Sequence, residues 1–300
     1  MDDANPPESN PFAAPPLVPA GVVAPPEMPL VAEPLPKERH TGRWVSIAVV
    51  VLLLAAGGVV LATRGSDNSY SLKAAAKVAS AATNVAFETT TDSGAGTITM
   101  TGRMDTAAKL MAGTAKSAAL GDKNITFYFD LSKLTMYMDA TAFGTGAGAP
   151  PTKWVSLDLT VVPGLKEAFG SFTNGNPLDA ARTFAGAKEV KSVGVETVKG
   201  ESLKHYLVTV LTADIKAKAP DLFKQLDANG VTMPDQIVYD VWVTKDSQLR
   251  RLKYEMKVND QTVTSDTTYT AIGAIDPIVL PDPNDVTDVS KELAGSSSGG

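Results

Sequence analysis

The sequence predicts a membrane-anchored α+β protein, in which a single-pass transmembrane helix is followed by one domain with a strongly curved antiparallel sheet and helices on one side. Three observations predict it. About 20 apolar, uncharged residues run from Trp44 to Thr63, alternation of period 2 dominates the chain beyond them, and a few short stripes of helical period interrupt that alternation.

Residues 1–43 come first. Eleven of the 20 prolines precede Lys37, as in Pro15-Pro16, Pro25-Pro26 and Pro34-Leu35-Pro36, and no apolar period of 2 or 3.6 runs among them. Proline lacks the backbone donor that a helix or ladder needs, so this stretch is expected to be a disordered or polyproline-like tail.

From Trp44 to Thr63, through the run Val49-Val50-Val51-Leu52-Leu53-Leu54, no residue is charged. At 1.5 Å per residue this length spans roughly 30 Å of hydrocarbon. Lys37, Arg39 and Arg43 precede the segment and Arg64 alone follows it closely. The positive-inside bias then puts the N-terminus in the cytoplasm and everything after Arg64 outside it. Val60-Leu61-Ala62 is also an acceptable cleavage pattern, which makes a removed leader the alternative reading.

A linker over 64–70 leads into the exported domain, expected over 71–285. Ser71 to Ala79 reads as a helix with Leu72, Ala75, Val78 and Ala79 on one face. Ile98 and Met100 alternate with threonines. Ile125, Phe127, Phe129 and Leu131 alternate with polar residues, and so do Leu134, Met136 and Met138. The strongest signal comes later, where Ile237, Tyr239, Val241 and Val243 are followed by a turn at Lys245-Asp246-Ser247 and then by Leu252, Tyr254, Met256 and Val258. That is a long hairpin, extended to a meander by a turn at Asn259-Asp260 and a strand over 262–270. Another pair, about 190–199 and 202–212, joins at Gly200. Helical insertions are expected at 163–184, where Asn176-Pro177 can start a helix, and after Asp214, where Leu222, Phe223 and Leu226 form a stripe that Gly230 ends. Residues 144–151 read as a glycine-rich loop, and 286–300 as a disordered tail. Nine to eleven antiparallel strands are expected, and a sheet of that width must curl or close.

Composition narrows the function. A net charge of −6, with both signs interspersed, argues against nucleic-acid binding. The absence of cysteine removes disulfides, thiolate metal sites, thiol nucleophiles and an acylated-cysteine anchor. Only His40 and His205 are present, His40 in the basic flank of the apolar segment, and no serine lies in a nucleophile-elbow context. Asp276, Asp282, Asp285 and Asp288 do not have the spacing of a calcium loop. No catalytic residue, cofactor or metal ligand is predicted. What remains is apolar surface rich in Phe, Tyr and Met, which either fills a core or lines a cavity for acyl chains, flexible methionines suiting a variable guest.

The segment Tyr239-Asp240-Val241-Trp242-Val243-Thr244-Lys245-Asp246-Ser247-Gln248-Leu249-Arg250-Arg251-Leu252 resembles the tryptophan hairpin of the actinobacterial LppX/LprG lipoproteins. So do the Ser-Leu-Lys-Ala-Ala helix with Asn84 to Glu88 after it, the strand at Thr99 to Met104, Lys153-Trp154-Val155 and the closing Asp282-Pro283. The order of elements matches over about 200 residues. That family is similar in fold to the LolA/LolB carriers. The resemblance therefore implies a half-open β-barrel with helices on its concave face, holding a lipid or glycolipid for transfer or presentation in the cell envelope. This chain departs from the family in lacking the lipobox cysteine, and the apolar segment stands in its place. The expected cavity wall is Phe127, Phe129, Met136, Met138, Tyr239, Val241, Tyr254 and Met256, which repeat on one face of the predicted strands. The expected partners are a lipid ligand, the membrane and an envelope protein. A non-catalytic envelope sensor or interaction module with a filled core is the alternative.

Overall fold

The computed structural model describes residues 69–93, 96–118, 123–143, 150–161, 187–218, 220–228, 230–259 and 261–290. The expected tail over 1–43, the transmembrane helix over 44–63, most of the linker, the helical insertion at 163–184, the glycine-rich loop at 144–149 and residues 291–300 lie outside them. Among the described residues no helix is long and apolar enough to cross a membrane.

Alternating side chains produce the twelve strands that dominate the described chain. They are β1 (Asn84–Asp92), β2 (Thr97–Asp105), β3 (Leu110–Ser117), β4 (Ile125–Asp130), β5 (Thr135–Asp139), β6 (Trp154–Asp158), β7 (Glu189–Val198), β8 (Glu201–Leu211), β9 (Gln236–Thr244), β10 (Leu249–Val258), β11 (Gln261–Ile272) and β12 (Val286–Asp288). One curved, unclosed sheet contains them all, in the order β12-β6-β5-β4-β3-β2-β1-β11-β10-β9-β8-β7. Every neighbouring pair is antiparallel except β12 with β6, which is parallel. The count thus exceeds the expected nine to eleven. Strand β3 escapes a reading by periodicity because two of its inward positions are Gly113 and Ala115, too small to stand out from its outward Ala112 and Thr114.

Ordered structure continues past residue 285. Val286, Thr287 and Asp288 pair with Trp154, Val155 and Ser156, and Ser290 beyond them is buried. A three-residue strand cannot display a period, and its pairing is set by β6 instead of by its own sequence.

Aspartates end the strands. Asp130 Oδ1 accepts from Ser132 N at 3.0 Å and Ser132 Oγ at 2.5 Å, and Asp139, Asp158 and Asp288 likewise accept from the backbone N–H two positions on. These Asx turns satisfy backbone donors where a ladder stops. Two hairpins share a further feature: Asp105 and Asp130 close β2 and β4, and four residues later Lys109 (φ 56°) and Leu134 (φ 54°) take the left-handed conformation that leads into the next strand. Near the C-terminus Asp288 likewise ends a strand, and Asp282 caps the short helical turn Pro283–Asp285 by accepting from Asn284 N.

Three α-helices are described: α1 (Leu72–Ala81), α2 (Thr212–Lys218) and α3 (Pro220–Ala228). Ser71 caps α1 by accepting from Ala74 N, while its own N–H donates to Ser247 Oγ at 2.8 Å. This ties the helix to the β9–β10 turn, where Ser247 has φ 58°. The buried face is Leu72, Ala75, Ala76 and Ala79, the i, i+3, i+4, i+7 stripe; Val78, expected on that face, is 44% exposed. Small alanines let α1 lie close to the sheet. Ile215 of α2, together with Phe223 and Leu226 of α3, joins the same core, as the stripe after Asp214 predicts.

Candidate ligand-binding face of the sheet

Register shows which side chains share a face. Starting at β5, Met138 pairs with Phe127, Phe127 with Gly113, Gly113 with Gly102, Gly102 with Phe87, and Phe87 with Tyr269. On the far side Ser265 pairs with Tyr254, Tyr254 with Tyr239, and Tyr239 with Val208. Since paired residues point the same way and the period is 2, all eight expected wall residues lie on one face, the face that α1, α2 and α3 help to cover. They form two blocks instead of one. Phe127, Phe129, Met136 and Met138 sit on β4 and β5, while Tyr239, Val241, Tyr254 and Met256 sit on β9 and β10, with β3, β2, β1 and β11 between. Sequence alone could not separate them, because strand order is a long-range property.

The two blocks differ in packing. Tyr239, Val241, Tyr254 and Met256 are 0–4% exposed within a large cluster that also takes in α1 and Phe223. Tyr239 and Tyr254 meet edge to face, their ring centroids 5.4 Å apart. Burial pushes both phenols, and that of Tyr269, above the ordinary value of 10.0, so all three stay protonated donors at neutral pH. Phe129 instead belongs to a second, smaller cluster with Leu131, Leu134 and Leu159. Between the two clusters lies Met111, packed against both, and Phe127, Met136 and Met138 beside it are half-buried. This strip of inner face is apolar and its side chains are long, yet they are not sealed as the β9–β10 block is.

A row of hydroxyls crosses the same face where β1 meets β11. Thr89 Oγ1 and Thr267 Oγ1 are 2.9 Å apart, both buried. Thr91 and Ser265 are paired in register next to them, and buried Thr91 Oγ1 has no hydrogen-bond partner among the described residues. Sequence reading missed this group. The run Thr89-Thr90-Thr91 does not itself mark which threonines turn inward; only Val85 and Phe87 upstream set that phase.

The outer face carries the histidine. His205 of β8 stacks on Trp242 of β9, centroids 4.5 Å apart and planes within 9°, and its Nε2 lies 2.7 Å from Asp240 Oδ1. Arg251 covers the other side of the indole, its Cζ 4.7 Å from the ring centroid. Trp242 Nε1–H donates to Glu196, and Arg251 Nε donates to Asp266 Oδ1 at 2.8 Å. The hydrogen bond to Asp266 raises the Arg251 pKa, keeping the guanidinium charged. Imidazole, indole and guanidinium thus form a three-layer stack with a carboxylate beside each, on the side of the sheet away from the methionine strip.

No protein-family model matches the chain, and no curated protein aligns with it. Among solved structures the chain is similar to the lipoprotein LppX of Mycobacterium tuberculosis, at 12% identity and a TM-score of 0.45, over 77% of this chain and 98% of that one. It is similar to LprF from Mycobacterium bovis at 15% identity and a TM-score of 0.41, over 72% and 99%. An uncharacterised conserved protein from Thermus thermophilus is also similar, at 7% identity and a TM-score of 0.32, over 72% and 96%.

Proposed function

We propose that this chain is a lipid-binding protein of the cell envelope, which holds acyl chains against the inner face of its sheet and is tethered by the apolar segment at 44–63. The observation that carries this reading is the half-buried strip of Met111, Phe127, Met136 and Met138 between two separate cores. A protein that needed only a core would close such a strip, since each fully buried side chain of this size stabilises by roughly 1.5–3 kcal/mol. Unbranched methionines adapt to chains of different length and bend. The inward hydroxyl row at β1 and β11, with the unpartnered Thr91, offers a polar anchor for the head of an otherwise apolar guest. No chemical step is assigned to the protein. The membrane segment would limit its reach to some tens of ångströms, which suits loading, presenting or sensing lipid better than shuttling it.

One observation favours the second reading, a sensor or interaction module with a filled core: the β9–β10 block is packed solid. The two separate on a measurement. Residues 65–300 exported from an actinobacterial host and purified without detergent should show, in native mass spectra, an excess that denaturing solvent releases as acylated species. A bare mass, with no uptake from added vesicles, would leave only the second reading.

A further inference from the structure

A groove of about 380 Å³ lies on the outer face of the sheet, opposite the methionine strip. It falls near the lower end of the roughly 300–1,000 Å³ that small-molecule sites occupy. Register explains why it exists. One row across the strands reads Ala86, Arg103, Ala112, Tyr128, so a methyl group lies between a guanidinium and a phenol and leaves a dip. The adjacent row reads Glu88, Thr101, Thr114, Thr126, which places three hydroxyl-bearing side chains side by side at the strand spacing of about 4.8 Å, with the exposed Glu88 at the β1 end of the row. Between the rows run Gly102 and Gly113, whose backbone forms part of the floor. The Tyr128 ring is held by Trp154, which meets it edge to face at 5.2 Å.

Arg103 gives the groove its charge. Of the three described arginines, Arg250 pairs with Glu201 at 2.8 Å and Arg251 pairs with Asp266. Arg103 is half-buried and has no ion pair or hydrogen bond among the described residues. A cation, a hydroxyl row and an aromatic wall in one depression match the three parts of an acidic sugar: its anion, its ring hydroxyls and its apolar ring face. Neither an aliphatic chain nor a bare anion would use all three.

We propose that this groove binds an acidic saccharide unit, with the Arg103 guanidinium on the carboxylate, the Thr101–Thr114–Thr126 row on the ring hydroxyls and Tyr128 against the ring. The site is separate from the lipid face and stands or falls independently of it. The test is isothermal titration of the full-length protein, in a detergent without a sugar head group, using trigalacturonate, with maltotriose and inorganic phosphate as probes of the sugar and the anion alone. Trigalacturonate should bind at least about tenfold more tightly than either probe, as loss of one charge-assisted contact implies. Arg103→Ala and Thr114→Phe should each weaken it by about tenfold or more while the melting temperature holds, and Lys257→Ala, on the same face outside the groove, should leave it unchanged. Equal affinity for phosphate, indifference to both groove substitutions in folded protein, or no binding up to about 10 mM trigalacturonate would each overturn the proposal.

Discussion

The phenyl ring of Phe87 lies against the backbone of Gly102 on the neighbouring strand, so closely that a Cβ there would come 2.8 Å from the ring's Cζ. Phe127 and Gly113 repeat the arrangement one strand pair on, at 3.2 Å, where the same Cβ would also come 2.4 Å from the Thr101 carbonyl oxygen. The two contacts predict different costs. Gly102→Ala meets the end of a side chain that can turn, so about 1–3 kcal/mol is expected. Gly113→Ala meets backbone and must spread β2 from β3, so thermal melts should show the larger loss there. Phe87→Leu should relieve part of the first penalty and none of the second.

The stack of Arg251 on Trp242 can be weighed by a double-mutant cycle. Trp242→Phe, Arg251→Ala and the pair together should give a coupling of about 0.5–2 kcal/mol by urea denaturation. Additive losses would mean that the guanidinium is held by Asp266 alone.

Asp130 should make stability acid-sensitive. Burial pushes its carboxyl up, but the hydrogen bonds from Ser132 and Lys133 together outweigh burial and leave it below its ordinary 3.8. A folded pKa below the unfolded one contributes stability that is complete above about pH 4 and disappears as pH falls through the folded value. Asp130→Asn should therefore cost about 1–3 kcal/mol at neutral pH, and its deficit against the parent should shrink below pH 3.8.

Lipid occupancy and stability should respond to different residues of the one face. Tyr239→Ala empties a sealed site and should cost about 3–5 kcal/mol. Met138→Asp, at a half-buried position, should cost much less in melting temperature and abolish the co-purifying acylated mass. If Met138→Asp keeps its lipid, the strip is not the site.

Sequence was most informative where one face alternates between large apolar and polar side chains. Val241 and Met256 stand out against Asp240 and Lys257, so the β9–β10 hairpin and its inward face were legible residue by residue. It was least informative where small residues occupy the inward positions, as at Gly113 and Ala115 of β3, or where pairing is decided at a distance, as in β12. The same limit applies to the site. Alternation could assign Phe127 and Tyr239 to one face, but not the four strands that separate them, nor that one is half-open and the other sealed. The aspartates that end strands had a local signal, Asp-x-Ser or Asp-x-Thr, which fits an Asx turn better than a tail or an ion site.

The parallel pairing of β12 with β6 has a consequence in time. Strand β6 is complete once residue 158 has been made, but the segment that covers its free edge is not synthesised until residues 286–288. Nearly half of the chain is translated in between, and closing so long a loop is slow. During that interval the donors and acceptors of Val155 and its neighbours are a template for any other extended chain. Three residues at the far end of the protein act as a cover for its most exposed moment, and a chain cut at 285 would remain in that moment.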